Sequence, residues 1–247
     1  MGIDRVTIEV RPPFRLDLTV WALRRRPHNT IDAWDGTTYT RTLVSGGVAL
    51  QVAVRQERGR AARLVVEVRR RGRRPSEAAV EETRRALERM LGVHVDLSGF
   101  YELAAADDRL AALALRFRGM RPPRFPSVFG ALVNAVACQQ RSLDVGIHLL
   151  DRLAAAYGPR VALDDAEAGF PVAEHLAEGD DVGARNSLRR RFDLPSSAGY
   201  DEVAAMAERW RPYGGLVYFH LLLDGLARSG RLGEAAGVGG RAGREVA

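Results

Sequence analysis

Thr37-Thr-Tyr-Thr-Arg-Thr-Leu-Val44 and Val48-Ala-Leu-Gln-Val-Ala-Val-Arg55, joined by Ser45-Gly46-Gly47, decide the fold class of this 247-residue chain. Successive side chains of a strand point to opposite faces, so Val48, Leu50, Val52 and Val54 share one face while Gln51 and Arg55 take the other. The two glycines permit a tight reversal between the runs. Working outward, Asp35-Gly36 marks the turn that precedes the first run. Further upstream, Phe14, Leu16, Leu18 and Val20 alternate with Arg15, Asp17 and Thr19, which predicts another strand over 14–20. Downstream, 64–68 reads as a strand after the polar tip at 57–62. The expectation is an antiparallel meander whose hairpins carry basic residues to an edge or tip.

After Pro75 the period changes from two to 3.6. Ser76 is placed to cap a helix, Glu77, Glu81 and Glu82 lie towards its positive end, and Gly92 stops it. Val80, Leu87, Met90 and Leu91 form its apolar stripe. From Leu97 the pattern is almost wholly helical, with helices expected over 108–117, 127–138, 143–157, 182–192, 202–210 and 216–228. The fold class is therefore α+β, an N-terminal antiparallel sheet followed by an all-helical part. The boundaries expected are 1–97 for the sheet plus one helix, 98–230 for the helices, and 231–247 for a Gly- and Ala-rich disordered tail.

Composition narrows the classes of function. Hydrophobic residues make up 46% and charged residues 28%, as in a soluble globular protein. The apolar runs at 216–218 and 221–223 are interrupted, and Met-Gly-Ile-Asp-Arg opens the chain without an apolar core, so neither a membrane span nor an export signal is expected. Cys138 is the only cysteine, which excludes an intramolecular disulfide, a four-thiolate zinc site and a four-cysteine iron–sulfur cluster within this chain. The reading is a cytoplasmic protein with no cofactor and no metal. His220 lies among Phe219, Leu221 and Leu222 with no histidine at i+4, which predicts a satisfied core histidine.

All 37 basic residues are arginine, and 31 acidic residues leave a net charge of +6. Arginine-favouring codon usage and an anionic partner account for this about equally, while the clusters at 55–74 and 185–191 lean towards nucleic acid. The missing lysine also bears on chemistry. A lysine amine is the usual nucleophile for Schiff-base strand cleavage, so any base removal by this chain is expected to use water.

Three ordered motifs carry a resemblance. Arg121-Pro-Pro-Arg-Phe-Pro-Ser-Val-Phe-Gly-Ala-Leu-Val-Asn-Ala-Val-Ala-Cys-Gln-Gln-Arg-Ser142 resembles the stretch of alkylation-repair DNA glycosylases in which a helix ends in a Gln-Gln loop and a second helix follows. Gly179-Asp-Asp-Val-Gly-Ala-Arg-Asn-Ser-Leu188 looks like the segment bearing their catalytic aspartate, and Glu208-Arg-Trp-Arg-Pro-Tyr213 resembles the signature that opens their last helix. The family is that of DNA-3-methyladenine glycosylases of the helix-hairpin-helix superfamily, and the resemblance spans most of 14–228. The chain departs from it between Gly158 and Asp181. Where the family has several helices and a phosphate-gripping hairpin, only 159–180 remain, without a Gly-x-Gly.

The resemblance implies residue roles. Cleaving an N-glycosidic bond leaves positive charge on the sugar, which a fixed carboxylate about 4 Å away stabilises by up to ~4 kcal/mol at an effective dielectric near 20. Asp181 is the residue implied for that role, with Asp180 second. A helix N-cap worth ~1 kcal/mol fits the same position and is compatible with it. By place in the motif, Gln140 would fill the gap left by an extruded base, with Gln139, Arg141 and Ser142 beside it on the DNA; a polar interhelix loop fits equally. Phe129, Trp210, Tyr213 and Tyr218 line a pocket for a cationic base or, as is commoner for aromatics at such spacing, belong to the core. Arg185, with Arg189, Arg190 and Arg191, neutralises phosphates or forms a solvated basic face. The function implied is hydrolytic removal of alkylated purines from double-stranded DNA by a monomer. The alternative is a catalytically impaired DNA-binding relative.

Overall fold

The chain is described by a computed structural model over residues 2–57, 63–139, 141–161, 167–168 and 208–230. Its elements run β1 (Gly2–Glu9), α1 (Leu16–Arg24), β2 (Ala33–Trp34), β3 (Thr38–Ser45), β4 (Val48–Gln56), β5 (Arg63–Arg70), α2 (Glu77–Leu91), α3 (Ser98–Ala105), α4 (Asp108–Arg116), α5 (Val128–Cys138), α6 (Leu143–Tyr157), β6 (Arg160–Val161), β7 (Glu167–Ala168) and α7 (Gly214–Arg228). An antiparallel sheet followed by helices is the α+β arrangement expected. The helices expected over 182–192 and most of 202–210, and the tail at 231–247, lie outside the described residues.

The five-stranded sheet has the order β1-β5-β4-β3-β2, with every pairing antiparallel. Ser45 pairs with Val48, so Gly46 and Gly47 form a two-residue turn, and both adopt positive φ, 54° and 74°. A side chain there would be strained, which is why this hairpin needs glycine. β1 carries little apolar signal, since Ile8 is its one fully buried side chain. Its strand state comes from eight paired positions along β5 and from the ion pairs Arg5–Glu67 (2.8 Å), Arg63–Glu9 (2.8 Å) and Arg74–Asp4 (3.0 Å).

The strand expected over 14–20 is instead the helix α1. The alternation of Phe14, Leu16, Leu18 and Val20 is real, but Thr19, Trp21, Ala22, Leu23 and Arg24 are buried as well. A helix buried all round presents no 3.6-residue stripe, and its apolar run cannot be told from a strand by period alone. Leu16, Val20 and Leu23 pack with the sheet and α2, alongside Tyr39, Leu50, Val52, Val66, Leu87 and Met90. Leu18, Trp21 and Ala22 pack the opposite way, against Phe100, Leu110, Leu113, Phe117, Leu216 and Leu221 of the helical part. Trp34 touches both cores. Each large side chain buried in this way contributes ~1.5–3 kcal/mol.

Capping follows the sequence closely. Ser76 accepts from the Ala79 amide (3.3 Å), Gly92 ends α2 at φ 59°, and Asp107 accepts from the amides of Arg109 (3.0 Å) and Leu110 (3.2 Å) to start α4. Among the described residues no helix is long and apolar enough to cross a membrane.

Two buried polar groups invite measurement. Asp32 accepts from the Tyr39 hydroxyl (2.7 Å) and from Arg41 (2.5 Å), and the Asp32 and Arg41 side chains are both almost fully buried. Burial and the Asp32 charge raise the Tyr39 phenol well above its ordinary range. Asp32→Ala strands the Arg41 guanidinium and is expected to lower stability in urea by ~3–5 kcal/mol, whereas Tyr39→Phe loses ~1 kcal/mol. Equal losses would contradict the pairing.

His220, fully buried in α7, donates from Nδ1 to the Leu216 carbonyl (2.8 Å) and stacks near Phe100 (5.0 Å) and Phe117 (6.2 Å). The expected core histidine is only half satisfied, because its Nε2 has no partner. Burial pulls its pKa from 6.5 down to about 4. The unfolded chain therefore binds the proton first, and the stability that neutral His220 carries is full above pH 6.5 and drains away as the pH falls towards 4. His220→Leu is expected to flatten the loss of unfolding free energy between pH 7 and 4.5 relative to the parent; parallel curves would refute this.

Candidate functional site

The loop at 139–142 is built by a close helix crossing. The inward face of α5 presents Gly130, Ala131, Asn134 and Ala137, and that of α6 presents Gly146, Ile147, Leu150 and Ala154. A Cβ on Gly146 would stand 2.6 Å from Cys138 Sγ and 3.0 Å from its Cα, so the helices touch where the loop begins. Gln139, Arg141 and Ser142 are all exposed at this end, and Gln140 lies outside the described residues. Ser142 accepts from the Val145 amide (3.3 Å), and Asp144 stands in the first turn, where the helix dipole favours its charge.

The connection from α1 to β2 holds both helices in place. Arg25 ends α1 in the left-handed conformation, φ 57°, and donates to Asn134 Oδ1 of α5, while its other terminal nitrogen lies 3.9 Å from Cys138 Sγ. Arg26 pairs with Asp144 (2.9 Å) at the start of α6. Thr30 donates from its amide (3.0 Å) and hydroxyl (2.9 Å) to Asp151 Oδ1. Ile31 packs with Ala137, Ile147, Leu150 and Ala154. Asn29 shapes the connection itself: its Oδ1 accepts from the amides of Ile31 (2.9 Å) and Asp32 (3.0 Å), and its Nδ2 donates to the Arg24 carbonyl (2.9 Å).

None of Arg25, Asn29 or Asn134 was singled out by sequence. Asn134 carried a usable signal, as a polar residue on the face of α5 that otherwise presents glycine and alanine. Arg25 and Asn29 carried none, because their partners are distant in the chain or depend on a backbone bend that no pattern announces.

The aromatic candidates are spread over several settings. Trp210 is buried, 3% exposed, and belongs to the helical core, with the Arg209 guanidinium 4.9 Å from its ring centroid. Tyr213 is half-buried just before α7, its hydroxyl so close to Gly99 that a Cβ there would be 2.4 Å away, and its ring lies 6.0 Å from Phe100. Tyr218 is half-buried, with its ring 5.4 Å from that of Phe219. Phe129 lies on α5 and is 53% exposed, beside the exposed Leu132 and Val136 of the same helix. Asp180, Asp181, Arg185, Arg189, Arg190 and Arg191 lie outside the described residues, as does most of the interval between Gly158 and Asp181.

Arg141 on the loop is exposed, which places a positive charge beside the amide end of α6. Chemically, Gln139, Arg141 and Ser142 present hydrogen-bonding side chains and one cationic group at the junction of α5 and α6. That is what a polyanionic surface requires of a protein.

Residues 5–127 match the family model described as the AlkA N-terminal domain. No curated protein matches the sequence. The 3-methyladenine DNA-glycosylase from Archaeoglobus fulgidus has a similar structure, with a TM-score of 0.73 at 18% identity, over 91% of this chain and 98% of that one. MBOgg1 in complex with a low affinity DNA ligand is similar as well, with a TM-score of 0.65 at 10% identity, over 93% of this chain and 100% of that one. Residues 5–127 thus resemble the AlkA N-terminal domain, and the described residues share the fold of these two solved structures.

Proposed function

We propose that the chain is a monofunctional DNA glycosylase of base-excision repair, a hydrolase that releases alkylated purines of the 3-methyladenine type from double-stranded DNA. The observation that carries this reading is the exposure of Gln139, Arg141 and Ser142 between the closely packed helices α5 and α6, in a chain whose residues 5–127 match the AlkA N-terminal domain. Arg141, with the amide end of α6, meets the phosphate backbone, and Gln140 enters the gap opened by an extruded nucleotide, with Gln139 and Ser142 beside it on the DNA. An alkylated purine already carries positive charge and departs readily. The remaining task is to stabilise the sugar cation, which falls to the Asp181 carboxylate, and water completes the hydrolysis. The absence of lysine from the chain supports water over a Schiff base. The protein is expected to act as a monomer in the cytoplasm.

One feature favours a second reading, a DNA-binding relative with impaired catalysis: the stretch between Gly158 and Asp181 is only 159–180 and lacks the hairpin glycines that usually grip phosphate. Release of methylated purines from alkylated duplex DNA decides between them. On the first reading Asp181→Asn slows release at least about a hundredfold, in line with a carboxylate worth a few kcal/mol to the transition state, while DNA affinity is retained. Tight binding without release by the parent protein would establish the second reading instead.

The role of the loop in backbone contact has its own measure. Arg141→Gln is expected to lower the slope of log affinity against log salt concentration by about 1, the contribution of one phosphate contact. An unchanged slope would remove Arg141 from the interface.

A further inference from the structure

Arg25 is a buried cation, 8% exposed, and among the described residues no carboxylate pairs with it. Its terminal nitrogens meet only neutral partners, Asn134 Oδ1 and Cys138 Sγ, its Nε has no partner, and Phe125 lies beneath the guanidinium at 5.9 Å. Burying a guanidinium without an anion is unfavourable unless its hydrogen bonds are well placed. Both residues it reaches stand in the last two turns of α5, one helical turn apart, and Cys138 is the final residue before the loop. Asn134 is 2% exposed and sits on the face turned towards α6. Cys138 is also packed against Gly146 with no slack. The end of α5 is thus held both by a residue of the N-terminal part and by α6.

We infer that Arg25 is a positioning residue for the loop at 139–142: by holding Asn134 and Cys138 it sets where that loop meets duplex DNA. The inference rests on the proposed role of the loop in DNA. A left-handed backbone at Arg25 directs the side chain away from α1 and across to α5, and the capping bond from its amide to the Trp21 carbonyl (2.9 Å) holds that backbone fixed. Arg26 and Thr30 anchor α6 from the same connection, so both stems of the loop are referred to one rigid support. Loss of the Arg25 grip frees the α5 stem alone, and a displacement of about 1 Å in a positioning element is enough to cost an order of magnitude or more in a step that depends on its geometry.

The test uses the full chain and a duplex carrying a tetrahydrofuran abasic analogue next to 2-aminopurine, whose fluorescence rises when a loop enters the gap and unstacks it. Anisotropy in the same titration gives Kd, and thermal unfolding is followed in parallel. If the parent protein neither binds nor brightens the probe, the glycosylase reading fails and this inference with it. If the parent brightens the probe, the variants decide on Arg25 alone. Arg25→Gln is expected to keep Kd within about threefold and to reduce the insertion equilibrium about tenfold, the effect of one lost charge-assisted hydrogen bond. Arg25→Lys recovers part of the signal, because an ammonium still reaches one acceptor. Should Arg25→Gln fail to fold, Asn134→Leu removes the acceptor at similar volume and is expected to lose insertion, while Asn134→Asp keeps the grip as an ion pair and retains it. Parental insertion in folded Arg25→Gln or Asn134→Leu would overturn the inference. So would a loss of insertion that merely tracks falling Tm and Kd and is not recovered by lysine.

Discussion

Everything in this structure hangs on one helix that has no outside. α1 packs Leu16, Val20 and Leu23 into the sheet core and Leu18, Trp21 and Ala22 into the helical core, so neither core closes without it. A two-layer domain ordinarily buries one face of each element. Here the shared helix makes the sheet and the helices a single cooperative packing problem. Arg121 reinforces the joint: its amide bonds Thr19 Oγ1 (3.1 Å), and its buried guanidinium donates to the carbonyls of Arg11, Pro13 (2.9 Å) and Val95.

The same joint explains how a sheet remote from the candidate interface bears on it. α1 ends at Arg24, and the eight residues from Arg25 to Asp32 carry three separate attachments to α5 and α6, one ionic, one through hydroxyl and amide donors, and one through a neutral amide acceptor. The loop at 139–142 is consequently supported by residues more than a hundred positions earlier in the chain. Small residues at the crossing let the two helices approach closely, and close approach keeps the loop short. Fixed stems limit the positions open to the residues between them, which is what the proposed contact with DNA would need.

Much of this was legible in the sequence, for reasons that differ by element. The β3–β4 hairpin announced itself through alternation and through Gly46-Gly47, since both signals are local and both have strict steric causes. The cap at Ser76 and the stop at Gly92 were legible because a cap is satisfied within its own turn. β1 was missed because one buried isoleucine and a row of charges make sense only beside β5. α1 was misread as a strand because total burial erases the period from which helices are recognised. Among the site candidates, a motif in the sequence pointed to Gln139, Arg141 and Ser142, which the structure places exposed between α5 and α6, and Trp210, offered as pocket or core, is buried in the helical core. It gave no hint of Arg25.

The amino-acid sequence alone determined the class of fold, the presence of the β3–β4 hairpin, the ends of α2, and the want of lysine and of paired cysteines. Each of these depends on residues within a few positions of one another or on composition, where sterics and covalent chemistry act without reference to the rest of the chain. Only the tertiary structure decided that α1 is a helix shared by two cores, that β1 joins the sheet, that His220 is held neutral, and that Arg25 reaches α5. Those outcomes are set by desolvation and by contacts between residues far apart in the chain, and neither is a property of any local stretch.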